Sequence, residues 1–286
     1  MPPFSIKQIR SLPTLPNVMN QIIHTLDDPN SSAADLERII RNDQAITTKL
    51  LAVANSAYYG FQHEITTVRR AAVAVGFNEV RNICLGLTLM GFLHPSTFAD
   101  RRAAEMLWLH SLAASEAARI LALRSRACEP SQAFTAGLLH DIGKVIMAAF
   151  VPDKAKSVLD YVSQEGCGYL EAESALEFSH ENMGRDLAGF WDLPPVLMQA
   201  IGRHHSLEKE MGHLPLVAVI HAADFLARDL ALGDSGNGDA PVLSPLALPA
   251  MGMDLAALDD CRRELRDLAP KIREQWEGMM QSRRRA

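Results

Sequence analysis

Cysteine is scarce in this sequence. Its 286 residues hold four, Cys84, Cys128, Cys167 and Cys261, and no two are spaced Cys-x-x-Cys. That excludes a zinc–thiolate knuckle or a disulfide framework and fits free thiols in a reducing compartment. Positive charge is also short: the formal net charge is −6, and the one basic cluster, Arg283-Arg284-Arg285, reads as a solvated tail. A chain that lives on nucleic acid carries a basic face, so no nucleic-acid partner is expected. Uninterrupted apolar runs of the ~18 residues that a membrane helix needs are missing too. The most apolar stretches, 138–151 and 214–227, are both interrupted by charge or histidine. Met1-Pro-Pro-Phe-Ser is not followed by the basic-then-apolar pattern of a signal peptide. The expectation is a cytoplasmic protein with no membrane partner. Strand-like alternation is nearly absent as well, which argues against a sheet.

What remains is a helical pattern from end to end. Hydrophobic residues make up 48% and charged residues 22%, enough for a sizeable core. After Leu12-Pro-Thr-Leu-Pro a helix carries Val18, Ile22, Ile23 and Leu26, and Asp27-Asp28-Pro29-Asn30 turns the chain. Ser32 caps the next helix with Asp35 answering it, and Asp43 caps a third. Shorter and longer helices follow over 66–73 and 77–92, separated by Gly76. Residues 94–100 break the pattern and mark a boundary between lobes. Beyond it, helices are expected over 101–124, 130–150, 153–165, 180–191, 195–203 and 214–231, and a last amphipathic one over 255–280. The expected organisation is all-α: an N-terminal lobe over 1–97, a helical core over 98–232, a flexible loop over 233–252, and a C-terminal helix with a basic tail over 253–286.

One stretch concentrates the chemistry: Gly137-Leu138-Leu139-His140-Asp141-Ile142-Gly143-Lys144. Two adjacent ionisable groups in an apolar run are costly unless they are paired or bind metal. Lys144 follows at i+4 from His140 and i+3 from Asp141, on the same side of a continuous helix. Other helices also present an imidazole or carboxylate from apolar surroundings: His110, His180, His204-His205 and Asp224. Each alone has a plain structural explanation, such as Asp224 pairing with His221 one turn earlier. Together they form a donor set suited to divalent iron, manganese or zinc, and two such ions could clamp a phosphoryl group.

The order His110 … His140-Asp141 … His180 … His204-His205 … Asp224 resembles the HD superfamily of metal-dependent phosphohydrolases, near its HD-GYP branch. Leu12-Pro-Thr-Leu-Pro, Ile40-Arg-Asn-Asp43-Gln-Ala, Ala54-Asn55-Ser56-Ala57-Tyr58-Tyr59-Gly60 and the run from Ala71 to Arg81 resemble the HDOD domain. The resemblance implies a helical N-terminal bundle packed on an HD-like core, and a signalling module acting through a protein partner. It further implies one metal held by His110, His140, Asp141 and Asp224, and a second by His180, His204 and His205 with Asp141 bridging. Asp141 and Lys144 would be the catalytic residues, Lys144 near the phosphate of a nucleotide or phosphodiester. Two departures bear on activity. HDOD proteins have often lost ligands, whereas this chain keeps a candidate at each position. The Gly-Tyr-Pro motif that follows the paired histidines in HD-GYP proteins is replaced by Ser206-Leu-Glu-Lys-Glu-Met-Gly. Enzymatic activity is therefore the alternative to a purely regulatory role.

Overall fold

A computed structural model describes residues 16–25, 30–40, 43–55, 59–61, 63–92, 101–209 and 212–281. The lead-in over 12–15, most of the turn at Asp27-Asp28-Pro29, the Ser56-Ala57-Tyr58 segment, the boundary over 94–100 and the Arg283-Arg284-Arg285 tail lie outside the described residues. Every regular element among the described residues is helical. The chain divides into two compact units, one built on Leu15–Phe92 and completed by Asp267–Ala286, the other on Leu93–Arg266.

The smaller unit holds α1 (Asn17–His24), α2 (Ala33–Ile40), α3 (Gln44–Ala54), α4 (Val68–Ala74) and α5 (Phe77–Phe92). Its core is Met19, Ile22, Ile23, Leu36, Ile40, Leu50, Val80 and Ile83, all buried. Met19 takes the place on the inner stripe of α1 expected for Val18, which is half-buried. The caps follow the expected chemistry. Asp43 Oδ1 accepts the Ile46 N–H, and Asp35 reaches back to the Ser32 N–H at 3.1 Å. Asn55 stitches the end of α3 to the following segment: its amide donates to Leu51 O and Ile65 O at 2.8 Å each, and its Oδ1 accepts the Ile65 N–H at 2.7 Å. The Tyr59 hydroxyl donates to Glu79 at 2.9 Å, and its ring stacks on Phe61.

The larger unit begins with α6 (Arg101–Ser125), followed by α7 (Pro130–Leu139), α8 (Ile142–Phe150), α9 (Pro152–Glu165), α10 (Tyr169–Ala175), α11 (His180–Phe190), α12 (Pro195–Arg203), α13 (Leu214–Asp229) and α14 (Ala247–Met251). The last helix, α15 (Leu255–Gln281), starts in this unit and ends in the smaller one. From Trp108 to Ala118, α6 is buried on every face, as a central helix must be. Small residues let its neighbours close in. A Cβ on Gly137 of α7 would lie 2.8 Å from Ser115 Cα.

One expectation fails here in an informative way. The run 130–150 is not one helix but two, broken at His140-Asp141. Asp141 has φ −95° and ψ 15°, outside the helical well, and stands at the N-cap of α8. The His140 ring nitrogen Nδ1 takes the Gly137 carbonyl at 2.7 Å, one of the carbonyls that a helix end leaves without an intrahelical partner. By composition this run could cross a membrane, but 83% of its apolar window is buried inside the protein. A second difference is α10, a short helix the sequence pattern does not announce. A third is the segment after α13. The expected flexible loop is hydrogen-bonded at intervals: Asp234 N–H to Met106 O at 3.0 Å, Lys144 to Asn237, and Arg228 to Asp239.

Candidate metal centre

The break between α7 and α8 has a consequence for the site. It turns the Asp141 carboxylate into the middle of the larger unit, where α6, α11, α12 and α13 each deliver a donor. His110 comes from mid-α6, His140 and Asp141 from the break, His180 from the first residue of α11, His204 and His205 from the end of α12, and Asp224 from α13. All seven expected donor residues converge, and His110, His140, Asp141, His180, His204 and Asp224 are buried.

The two oxygens of Asp141 face different neighbours. Oδ2 lies 3.8 Å from His110 Nε2 and 3.5 Å from His140 Nε2. Asp224 Oδ1 closes this first nest, 3.1 Å from His110 Nε2 and 3.8 Å from His140 Nε2. Oδ1 of Asp141 lies 3.4 Å from His180 Nε2 and 3.7 Å from His204 Nε2. His205 completes this second nest: with Asp141, His180 and His204 it offers one ligand atom each, all within 4.8 Å of one another.

The outward faces of the rings fix which nitrogen points inward. His140 Nδ1 meets Gly137 O at 2.7 Å, and His204 Nδ1 meets Ile201 O at 2.9 Å. His180 Nδ1 meets Glu173 Oε2 at 2.8 Å. These partners only accept, so each Nδ1 carries the proton and, in a neutral ring, each Nε2 turns a lone pair inward. Hence His180 Nε2 and His204 Nε2 face each other at 3.3 Å, as do His110 Nε2 and His140 Nε2. Among the described residues, Asp141 Oδ1 and His205 Nε2 are buried with no hydrogen-bond partner. Electron-rich atoms crowded together and unpaired repel one another unless a cation lies among them. The residues present therefore fit a divalent metal.

The electrostatics are mixed: burial opposes protonation of His140, but the Asp141 and Asp224 carboxylates raise its pKa above the ordinary value, whereas the other shifts favour neutral imidazoles and ionised carboxylates. Burial keeps His205 neutral, pushing its pKa well below the ordinary value. Burial likewise lowers that of His110, against the pull of Asp224. Burial opposes ionisation of Asp141, but the Lys144 ammonium and the surrounding imidazoles hold its carboxyl well below the usual range. Asp224 is held down in the same way by His110 and His140, against burial.

Lys144 reaches Asp141 from the first turn of α8, although the continuous helix expected to carry both is broken at His140-Asp141. Its Nζ donates to Asp141 Oδ2 at 2.9 Å and to Asn237 Oδ1 at 3.2 Å, above the Tyr169 ring at 5.0 Å. The segment after α13 thus supplies Lys144 with its second acceptor. Asp224 does not pair with His221. The His221 ring instead spans from His204 O, which takes its Nδ1–H at 2.7 Å, to the Ser244 N–H at 2.8 Å.

Several residues that shape the centre carry no signal in the expected donor list. Gly143 is one. A Cβ there would lie 2.0 Å from His180 O, so only glycine lets α8 meet the start of α11 and bring His180 beside Asp141. Gly184 faces it across the same contact, 3.3 Å from Gly143 N at its would-be Cβ. Glu173 and Glu181 are the others. Glu181 accepts the His205 N–H at 2.8 Å and faces the Ser206 hydroxyl at 3.3 Å. In sequence both glutamates look like solvated surface residues. Their only clue is position, seven residues before His180 and one after it.

An all-helical chain whose core gathers histidines and aspartates into a cluster able to hold a divalent metal is one class of protein. Within it, this chain belongs to the HDOD domain family, whose profile matches residues 12–207. An HDOD domain protein of unknown function from Geobacter sulfurreducens superposes with a TM-score of 0.78 at 26% identity, covering 93% of this chain and 95% of that one. A chain from Marinobacter aquaeolei VT8, assigned provisionally to signal transduction, has a TM-score of 0.78 at 23% identity, over 94% of this chain and 60% of that one. A provisionally assigned phosphohydrolase from Shewanella amazonensis SB2B has a TM-score of 0.75 at 19% identity, over 96% and 97%. The latter two share the fold. An uncharacterized protein of Treponema pallidum (strain Nichols) is 24% identical over 226 residues, 78% of this chain; the chain spans 43% of that protein's length.

Proposed function

We propose that this chain is an HDOD-type regulatory module that acts through contacts with a signalling protein, and that its HD-like core holds two divalent ions of iron, manganese or zinc. The observation that carries the metal reading is the Asp141 carboxylate, with Oδ2 turned to His110 and His140 and Oδ1 to His180 and His204. Each oxygen serves its own nest of imidazoles. A mix of imidazole and carboxylate donors suits first-row divalent metals. The regulatory reading is supported by the closure of the site. The side chains of His140, Asp141, His180 and His204 are 0% exposed, and the segment after α13 is tied to Lys144.

A second reading, a phosphohydrolase acting on a nucleotide or phosphodiester, is favoured by Lys144. Its ammonium is buried beside the bridging carboxylate, where it could pair with a phosphate oxygen. Bound divalent ions would supply Lewis acidity toward the phosphoryl oxygens and a water nucleophile at neutral pH. The chain's own part would be to orient the ligands through Gly137, Ile201 and Glu173, and to hold the substrate's negative charge on Lys144.

Metal analysis of protein purified without chelator tests both. Close to two equivalents of transition metal per chain, with no turnover of bis(p-nitrophenyl) phosphate in manganese, supports the regulatory module. Turnover that vanishes in Asp141→Asn supports the hydrolase. Less than about half an equivalent refutes the metal reading, since sites of this kind hold their ions tightly.

A further inference from the structure

The geometry points to Glu173 as the positioning residue of the second nest alone, so that removing its carboxylate costs the chain one ion and spares the other. This rests on the two-ion reading above.

His140, His180 and His204 each have their outward nitrogen held by a hydrogen-bond partner, and the partners differ in kind. His140 is held by the Gly137 carbonyl and His204 by the Ile201 carbonyl. Both acceptors are backbone atoms one turn earlier, present whatever the side chains are. His180 is held by a side chain. Glu173 Oε2 accepts from its ring Nδ1 at 2.8 Å, and Glu173 Oε1 accepts its backbone N–H at 2.7 Å. One buried carboxylate therefore sets both the ring tautomer and the backbone position of His180.

The local chain is folded for this. The Phe178 N–H bonds back to Glu173 O at 2.7 Å, and Glu177 turns the chain at φ +52°. Those two features return His180 to Glu173 after seven residues. The Tyr169 ring, at the start of the same short helix, packs edge-on against the His180 ring at 6.0 Å. α10 thus exists to carry Glu173 and Tyr169 to His180. Both oxygens of the Glu173 carboxylate bond to His180.

A glutamine in place of Glu173 keeps the shape and one acceptor but replaces the other oxygen with an NH₂ donor. Either the His180 N–H loses its acceptor, or the NH₂ faces Nδ1 and drives the ring proton to Nε2, the atom that must be free for metal. Partners of this outer kind are worth about 10–100-fold in metal affinity.

The test is calorimetric titration of the metal-free full chain with Mn²⁺, with helical circular dichroism recorded alongside. The wild type should take two equivalents. Glu173→Gln should bind one with unchanged affinity and the other about 10–100-fold more weakly. Glu171→Gln, an exposed change on the same short helix, should leave both as they were. Two equivalents at wild-type affinity in Glu173→Gln overturn the assignment. So does equal weakening of both, which would make Glu173 a prop of the whole fold. A wild-type chain that takes no Mn²⁺ overturns the two-ion reading itself, a result distinct from either.

Discussion

Gly143→Ala adds one methyl at the place where α8 meets the first residue of α11. The new Cβ would lie 2.0 Å from His180 O, 2.8 Å from His180 C and 2.9 Å from Gly184 N. All three are backbone atoms, so no rotamer change relieves them. Ordinary contact for such pairs is near 3.5 Å, so α8 and the start of α11 must separate by roughly 1 Å or more. Overpacking of this kind costs about 1–3 kcal/mol, offset by at most about 1 kcal/mol from replacing glycine in a helix. The net loss should fall near 1–2 kcal/mol. The larger effect is on the centre. The methyl pushes against the residue that carries His180, while Asp141 stands two residues before it. Metal–ligand distances tolerate only about 0.2 Å, so, under the two-ion proposal, His180 Nε2 and Asp141 Oδ1 could no longer serve one ion. Elemental analysis should show about one equivalent lost, and thermal unfolding a lower midpoint. A Gly143→Ala protein with full metal content and an unchanged or raised midpoint would refute the claim that this glycine sets the approach of the two helices.

Three further outcomes follow from other parts of the molecule. Chelation of the metal-loaded chain should lower its unfolding midpoint by several degrees, because metal that binds only the folded state adds about 2.7 kcal/mol when free ion is about 100 times Kd; a midpoint indifferent to EDTA would count against metal in the core. Asn55→Ala removes two hydrogen bonds that join the end of α3 to Ile65 and one back to Leu51 O, and should cost about 1–2 kcal/mol in denaturant unfolding, allowing for the exposure of the site. Burial, with a contribution from Glu129, pushes the Cys128 thiol from 9.0 up to about 12. Its alkylation should therefore be slow at neutral pH and climb about tenfold per pH unit through pH 10. Since the folded thiol titrates above the unfolded one, its linkage contribution is absent below pH 9 and destabilises the fold as pH rises past that point. Rapid labelling at pH 7 would contradict it.

How much of this was legible in the sequence depends on what kind of interaction each feature uses. Caps are local, so Asp43 and the Ser32–Asp35 pair could be read directly, and helix 77–92 lay between Gly76 and a loss of periodicity. The clustered residues were legible because histidine and aspartate in apolar surroundings need a partner, and the seven of them come from five separate places in the helical core. The break at His140-Asp141 was not. Leu138, Leu139, Ile142 and Val145 are apolar on both sides of it, so periodicity runs through without a gap. What ends the helix is a side chain turned toward a distant cluster. Glu173 escaped for a related reason. No helix is expected over Glu171-Ala-Glu-Ser, and only the return of the chain at Phe178 makes one of its two glutamates buried. Gly143 carries no role until α11 is placed against it.

The segment 233–239 is where the two functional readings part. Gly233, at φ +83°, lies against the His110 backbone so closely that a Cβ would be 2.2 Å from His110 N. Further along, Asn237 accepts from Lys144 at 3.2 Å and Asp239 accepts from Arg228 at 2.8 Å. Arg228 also stands 3.8 Å from Asp224 Oδ2, so one cation touches both a donor carboxylate and the covering strap. A hydrolase would have to lift this strap on every turnover, because the Lys144 side chain is 5% exposed with Asn237 against it, and a phosphate has to reach its ammonium. A regulatory module needs it lifted only when its state changes. Asn237→Ala removes a hydrogen bond to a charged group, about 1.5–3 kcal/mol in a buried setting and less at this half-buried one. It leaves every metal donor in place. Under the regulatory reading, the variant should lose metal to chelator several-fold faster than the wild type and still turn over no phosphodiester. Under the hydrolytic reading, the same variant should change kcat itself, since strap opening then belongs to the catalytic cycle. Unchanged metal release in Asn237→Ala would mean that the strap does not guard the centre at all.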